Sequence, residues 1–300
     1  MSTPLRTVII PAAGQGTRLS PLTKVVPKEL LPVHDRPVLQ FALEEAVAVG
    51  AARIVIVIHP TKTIIRDYLL RDADHVTLLR NTGKTDHAAA LDGIGVSTDI
   101  EIIFAIQSDP LGLGHAVLCA ESFLLPGPVG VILPDDVIMG LPCLPQMAAA
   151  YQAGHMVAAM DVSLADTAKY GIFVPLGSCE TRSIPVSGMV EKPAVGSAPS
   201  TLAAVGRYIL DPSIMGTLAR TAAGRGNEIQ LTDAIAADAA HLPLTAFRFS
   251  GTRYDCGTFG GLTAAGLAQQ ANRLVKHDFP PTKSRISVVL PGAGQSKVSA

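Results

Sequence analysis

The sequence predicts an α/β protein: a mixed, mainly parallel central sheet with helices on both faces and a small inserted antiparallel β region. Three observations lead there. Short apolar runs rich in β-branched residues alternate with helical patterns through most of the chain, the signature of parallel strands joined by crossover helices. Nearly half the residues (48%) are hydrophobic and 16% are charged, enough apolar surface for a sizeable core. Between these lies a stretch where strand-like runs crowd together without helices, the pattern of antiparallel neighbours.

The elements follow in order. TVII (7–10) opens as a strand. PVLQFALEEAVAVG (37–50) is a helix, with Pro37 at its start and Gly50 at its close. RIVIVI (53–58) is a strand and 61–70 a helix. IEIIFAIQ (100–107) leads into a helical GHAVLCAESFL (114–124), and VGVILPDD (129–136) into LPQMAAAYQAG (144–154). MVAAMDV (156–162), YGIFVPL (170–176) and GMVEKP (188–193) form the crowded β region. After AAVGRYIL (203–210) come a helical PSIMGTLART (212–221), a glycine-rich loop AAGRGNE (222–228), a helix at LTDAIAADAA (231–240), a strand near LTAFRFSG (244–251) and a last helix over 259–275. One domain is expected over 1–275, with an inserted β region at about 165–210. The tail, 276–300, carries prolines, lysines and small residues and is expected to be loosely held. Its VVLPGAGQS (288–296) echoes the opening loop but lacks the Thr-Arg and Pro-Lys-Glu that follow the first copy.

The formal net charge of −1 over 300 residues offers no overall field for nucleic acid or an anionic membrane, so positive charge must act locally. Cys119, Cys143, Cys179 and Cys256 show no CxxC or metal-ligand spacing and read as free thiols. Neither an apolar leader nor a membrane-length run is evident, so a soluble cytoplasmic protein is expected.

The chemistry begins in VIIPAAGQGTRLSPLTKVVPKELLPV (8–33), a strand, a glycine loop and a basic strap stiffened by Pro21, Pro27 and Pro32. Glycines after a strand let backbone N–H groups approach phosphate oxygens, because no Cβ stands in the way. The loop is neither a Walker A sequence nor a full GxGxxG fingerprint. Arg18 and Lys28 add charge suited to a triphosphate and to negative charge building on an α-phosphate, whereas Lys24 reads equally as a solvated surface charge. LPDD (133–136) ends an apolar strand, where open α/β sheets gather ligands and where a carboxylate can hold Mg²⁺. Asp255, in RYDCGTFGG, is a second candidate from a distant segment that could share one ion. In MVEKPA, Glu191 and Lys192 are adjacent; strand alternation puts them on opposite faces, so they are not expected to pair.

Taken together, GxGTRLxPLTKxxPKELLPV, GLGHAVL, ILPDD, YGI, VEKP, VGRYIL, NEIQLTDAI and DCG resemble the bacterial UTP–glucose-1-phosphate uridylyltransferases, of the sugar-1-phosphate nucleotidyltransferases, over about residues 5–275. The resemblance implies a Rossmann-like nucleotidyltransferase fold, a homo-oligomer, and a Mg²⁺-dependent reaction of UTP with glucose 1-phosphate giving UDP-glucose and pyrophosphate. It implies that Ala12, Ala13, Gly14 and Gly16 line the nucleotide with backbone while Arg18 and Lys28 hold the triphosphate. Gln107 and Gly112 would read the uracil edge, and Asp135 and Asp255 would bind Mg²⁺. Gly171 and Glu191 would hold the sugar with Glu228 near that side, and Lys192 would hold the sugar phosphate as it attacks. The chain departs from the pattern at Arg36, where Lys is usual, at 108–111, and at Asp136, a second carboxylate beside Asp135. Two other readings stay open: the same chemistry with another sugar or cyclitol phosphate or with dTTP, and a non-catalytic nucleotide-sugar-binding regulator.

Overall fold

The computed structural model describes residues 4–70, 72–94, 100–275 and 288–289. Strand β1 (Thr7–Pro11) is followed by three short 3-10 turns, Thr17–Leu19, Leu22–Lys24 and Lys28–Leu30, so the strap coils where the sequence suggested only a stiff run. A small β2 (Pro32–Val33) and β3 (Arg36–Pro37) pair lies before helix α1 (Val38–Ala48), and just past its end Gly50 takes φ +79°. Next come β4 (Arg53–Ile58), α2 (Thr63–Leu69), and α3 (Ala73–Asn81) and α4 (Thr85–Asp92), two helices the sequence reading lacked. Then follow β5 (Glu101–Ile106), α5 (Gly112–Leu118), β6 (Val129–Ile132), β7 (Asp136–Met139), α6 (Cys143–Ala150) and β8 (His155–Asp161). The expected helix over 114–124 stops at Leu118, with a 3-10 turn at Glu121–Phe123. The chain continues through β9 (Gly171–Pro175), β10 (Ser183–Glu191), β11 (Leu202–Leu210), α7 (Ile214–Arg220), α8 (Leu231–Asp238), β12 (Leu244–Arg248), β13 (Thr252–Asp255), α9 (Phe259–Val275) and β14 (Val288–Val289).

Ten strands form one sheet in the order β14-β5-β4-β1-β6-β11-β8-β12-β10-β9. The half from β14 to β6 is parallel; β11 then runs antiparallel to both β6 and β8. The crowded β region is antiparallel as expected, with β10 pairing antiparallel to both β9 and β12, and it joins the main sheet through β12. Of the tail, Val288–Val289 pair in parallel with Ile102 and Ile103, and the remainder, expected to be loose, lies outside the described residues.

Strand alternation divides the core between the two faces. Val8, Ile10, Ile54 and Ile56 pack on one side with α1 residues Leu39 and Leu43, while Ile9, Val55 and Val57 pack on the other with Val117 of α5. Apolar residues at successive positions are what burial of both faces demands. Each such side chain contributes about 1.5–3 kcal/mol when fully buried. A third, smaller cluster of Val33, Val38, Val137, Met139, Cys256 and Ala265 secures the strap's end against β7 and α9.

From β1 the chain runs to β4 on one side, and β6 lies on the other, so the carboxyl end of β1 is a topological switch point. Clefts form there because the flanking crossovers diverge. The glycine loop leaves β1 at that point.

Candidate active site

The predicted site residues fall into three clusters of side chains, the first of them beside the switch point. The first joins the strap to two strand ends. β7 and β13 form a two-stranded antiparallel sheet in which Asp255 lies opposite Asp136, and Cys256 N–H donates to Asp135 O at 2.7 Å. This pairing was not foreseen, and it is what brings LPDD and DCG together. Lys28 Nζ donates to Asp135 Oδ2 at 2.5 Å, and Arg18 lies 3.9 Å from Asp135 and 3.6 Å from Asp255. Burial raises the Asp135 pKa and lowers that of Lys28, but their mutual attraction prevails: the carboxyl falls below its ordinary value and the ammonium rises above its own. Arg18 remains largely exposed, and Lys24 is exposed on the strap.

Gly257 lies at the centre of this cluster. A Cβ there would come within 2.6 Å of Arg18 Nη2, 3.0 Å of Asp255 Oδ1 and 3.1 Å of Asp135 Oδ2. The missing side chain leaves a small space edged by two carboxylate oxygens. Among the described residues no cluster of three or more His, Cys, Asp or Glu is arranged to hold a metal. Two carboxylates nevertheless suit Mg²⁺, which commonly takes one or two from the protein and fills its shell with water and substrate phosphate.

Asp136 is committed elsewhere. Its Oδ2 accepts from Gly206 N–H at 2.8 Å and its Oδ1 from Arg253, whose Nε stands at 2.8 Å. Arg253 also donates to Tyr170 Oη at 3.0 Å and so ties this turn to the second cluster.

That second cluster joins β9, β10 and α8. Gly171 lies opposite Glu191 in register, and a Cβ on Gly171 would meet Met189 Cε at 3.0 Å and Thr232 Cγ2 at 3.1 Å. Glu191 Oε2 accepts from Thr232 Oγ1 at 3.1 Å. The expectation that Glu191 and Lys192 do not pair is corrected: Lys192 Nζ lies 3.0 Å from Glu191 Oε1. Lys192 has left the strand, with φ +43°, so alternation no longer applies, and its N–H donates to Tyr170 O at 3.0 Å.

The third cluster lies at α5. Gln107 is buried, and its Nε2 donates to Gly112 O at 3.1 Å and lies 3.0 Å from His115 Nδ1. Gly112 has φ +94°, and a Cβ there would come within 2.7 Å of Glu228 Cβ and 2.9 Å of Ile229 O. Ile229 N–H donates to Leu111 O at 2.7 Å and Gly114 N–H to Ile229 O at 2.8 Å. The GLG spacing thus admits the 224–230 loop against the helix start. Glu228, expected near the sugar side, stands beside Gly112, with its Oε2 accepting from Gln230 at 2.9 Å.

In the glycine loop, a Cβ on Gly14 would meet nothing within 4 Å, whereas Gly16 holds φ +67° and its carbonyl accepts from Thr23 Oγ1 at 2.9 Å. Ala12 and Ala13 are buried between the β1 end and this loop, and Ala12 N–H donates to Val57 O at 2.7 Å. Gly257 was within reach of the sequence reading, since DCG contains it. Tyr170 lies in the quoted YGI and Arg253 in RYDCGTFGG, but neither motif pointed to their side chains, and Lys62 carried no local signal.

Known proteins share this fold and much of this sequence. The family described as nucleotidyl transferase matches residues 7–272. The UTP–glucose-1-phosphate uridylyltransferase of Staphylococcus haemolyticus is 41% identical over 257 residues, covering 84% of this chain and 88% of that protein. The UTP–glucose-1-phosphate uridylyltransferase YngB of Bacillus subtilis is 40% identical over 276 residues, covering 90% and 92%. Among solved structures, a UDP-glucose pyrophosphorylase complexed with UDP-glucose superposes with a TM-score of 0.78 at 35% identity, covering 90% of this chain and 100% of that one. A UTP-bound UGPase from Acinetobacter baumannii gives 0.80 at 34% identity, covering 90% and 98%. With the family's sequence pattern running from β1 into α9 and the same Rossmann-like α/β fold beneath it, the chain belongs to the nucleotidyl transferase family.

Proposed function

We propose that this protein is a UTP–glucose-1-phosphate uridylyltransferase, joining UTP and glucose 1-phosphate to give UDP-glucose and pyrophosphate. The observation that carries the reading is the convergence of Arg18, Lys28, Asp135 and Asp255 beside the glycine loop. In the reaction, an oxygen of the sugar phosphate forms a bond to the α-phosphorus of UTP. The bond from that phosphorus to the bridging oxygen breaks, and pyrophosphate leaves with its electron pair. The attacking oxygen is already anionic, so no general base is required; the difficulty is bringing two polyanions together.

The residues divide that work. Ala12, Ala13, Gly14 and Gly16 present backbone to the nucleotide, and Arg18 and Lys28 hold the triphosphate and the charge that grows on the α-phosphate. Asp135 and Asp255 would hold Mg²⁺, which when bound neutralises phosphate oxygens as a Lewis acid. Gln107 supports the Gly112 peptide at the base edge, and Glu228 packs behind it. Gly171 and Glu191 face the sugar, and Lys192 orients the attacking phosphate.

The described residues include no helix long and apolar enough to cross a membrane, and the four cysteines are free thiols. Free thiols suit a reducing compartment and so support a cytoplasmic protein, and the family resemblance supports a homo-oligomer. The test is pyrophosphate release from glucose 1-phosphate and related sugar phosphates across UTP, dTTP and purine triphosphates, with Mg²⁺ present or withheld. The highest kcat/KM is expected for UTP with glucose 1-phosphate; absence of UTP-dependent turnover would reject the assignment.

A further inference from the structure

The glycine loop and the strap that follows it are fastened to one nearly buried ammonium. β1 and β4 run parallel with Pro11 opposite Val57, so the chain leaving β4 passes beside the chain leaving β1. A tight turn closes there: Lys62 N–H donates to His59 O at 2.9 Å, and His59 Nδ1 lies 2.8 Å from Thr61 Oγ1. The turn aims Lys62 back at the loop. Its Nζ donates to Ala12 O at 2.7 Å, Gly14 O at 2.7 Å and Glu29 Oε2 at 2.9 Å. An ammonium has three hydrogens, and here each has an acceptor. The Lys62 side chain is 12% exposed and that of Glu29 0%.

We propose that Lys62 is a positioning residue for nucleotide binding, drawing two loop carbonyls to one side and coupling the loop, through Glu29, to the strap that carries Lys28. The proposal rests on the reading of the loop as the nucleotide site. In a trans peptide the carbonyl and the following N–H point in opposite directions. Binding of the Ala12 and Gly14 carbonyls by Lys62 therefore turns the Ala13 and Gln15 amides away from the ammonium, as an anion-binding loop requires. Glu29 immediately follows Lys28, which reaches Asp135. One side chain thus sets both the loop's amides and the root of the strap's cation. None of this involves direct contact with substrate.

The competing account is that Lys62 only neutralises Glu29. The two differ in a double variant. Removing one member of a buried ion pair strands the other charge, whereas removing both often restores stability. The full chain is titrated with UTP and Mg²⁺ by calorimetry, without sugar phosphate, and Tm is recorded for wild type, Lys62→Met and Lys62→Met/Glu29→Gln. Positioning predicts that the single variant loses Tm, that the double recovers it, and that both bind UTP about tenfold or more weakly, since misplaced binding groups lose their effect even in a sound fold. A double variant that recovers wild-type UTP affinity together with Tm overturns the proposal. So does a single variant with unchanged affinity, or a double variant that cannot fold, which would assign Lys62 to the fold. A wild-type chain that binds no UTP would instead remove the nucleotide reading itself, whatever Lys62 does.

Discussion

Lys192 shows how one backbone angle reassigns a side chain. At the end of β10 the alternation of inward and outward residues stops, φ turns to +43°, and the ammonium folds back onto Glu191. Its side chain is 46% exposed, so it contributes no core packing. Lys192→Ala is accordingly expected to lower kcat/KM about a hundredfold or more, the scale of removing one group that meets transition-state charge. Tm and far-UV circular dichroism should stay at wild-type values. Near-normal turnover would take Lys192 off the list of residues acting on phosphate. Gly257 makes the complementary point, since its contribution is the space it leaves between Asp135 and Asp255.

Arg207 couples the elements. It lies on β11, is 1% exposed, and its Nε donates to Glu45 Oε2 of α1 at 2.9 Å. Its Nη1 donates to Leu133 O at 3.0 Å and its Nη2 to Asp136 O at 2.8 Å, holding both ends of the turn that presents Asp135. Glu45 in turn accepts from Leu144 N–H at the start of α6 at 2.7 Å. A helix, a strand and the LPDD turn are thus joined through one buried guanidinium. Arg207→Met fills much of the volume but leaves Glu45 a buried charge without its partner. It should cost about 3–5 kcal/mol in urea unfolding. A loss below about 1 kcal/mol, within the range of exposed pairs, would show that the network is energetically slack. The β7–β13 pair has the same logic at lower stakes: neither strand is long, and each exists because the other satisfies its backbone.

Across the whole molecule, acid stability is expected to depend on a group far from the chemistry. His155 on β8 is fully buried; Asp211 N–H donates to its Nδ1 at 3.2 Å, and its Nε2 lies 3.0 Å from Asp238 Oδ2 at the end of α8. Burial lowers its pKa below the ordinary 6.5, and the nearby carboxylates only partly oppose this. The unfolded chain therefore takes up this proton first as pH falls. The stability it contributes is complete above about 6.5 and is lost as pH drops through that value toward the folded pKa. Tm should decline from pH 7.5 to 5, and His155→Gln should flatten that slope. An unchanged slope would place the acid sensitivity elsewhere.

Much of the architecture was legible in the sequence because it is local. Runs such as RIVIVI are apolar for burial on two faces, Pro37 and Gly50 bracket α1, and the loop, LPDD and DCG motifs sit at strand ends. Helices α3 and α4 were missed because their sequences, ADHVTLLRN and TDHAAALD, are short and polar, with Val76 and Ala88 as their buried residues. Which motifs meet was not legible. Asp135 and Asp255 converge through a two-stranded pairing of short segments more than a hundred residues apart, and Lys62 reaches the loop because β4 lies beside β1. By itself the sequence determined the periodicities, the turn residues and the charges available to the site, since these depend on neighbours along the chain. The tertiary structure alone decided that Asp136 binds Arg253, that Lys192 turns back to Glu191, and that Lys62 underpins the glycine loop. The first and the last depend on which distant polar group can satisfy a buried one, and the second on a backbone turn at the end of β10.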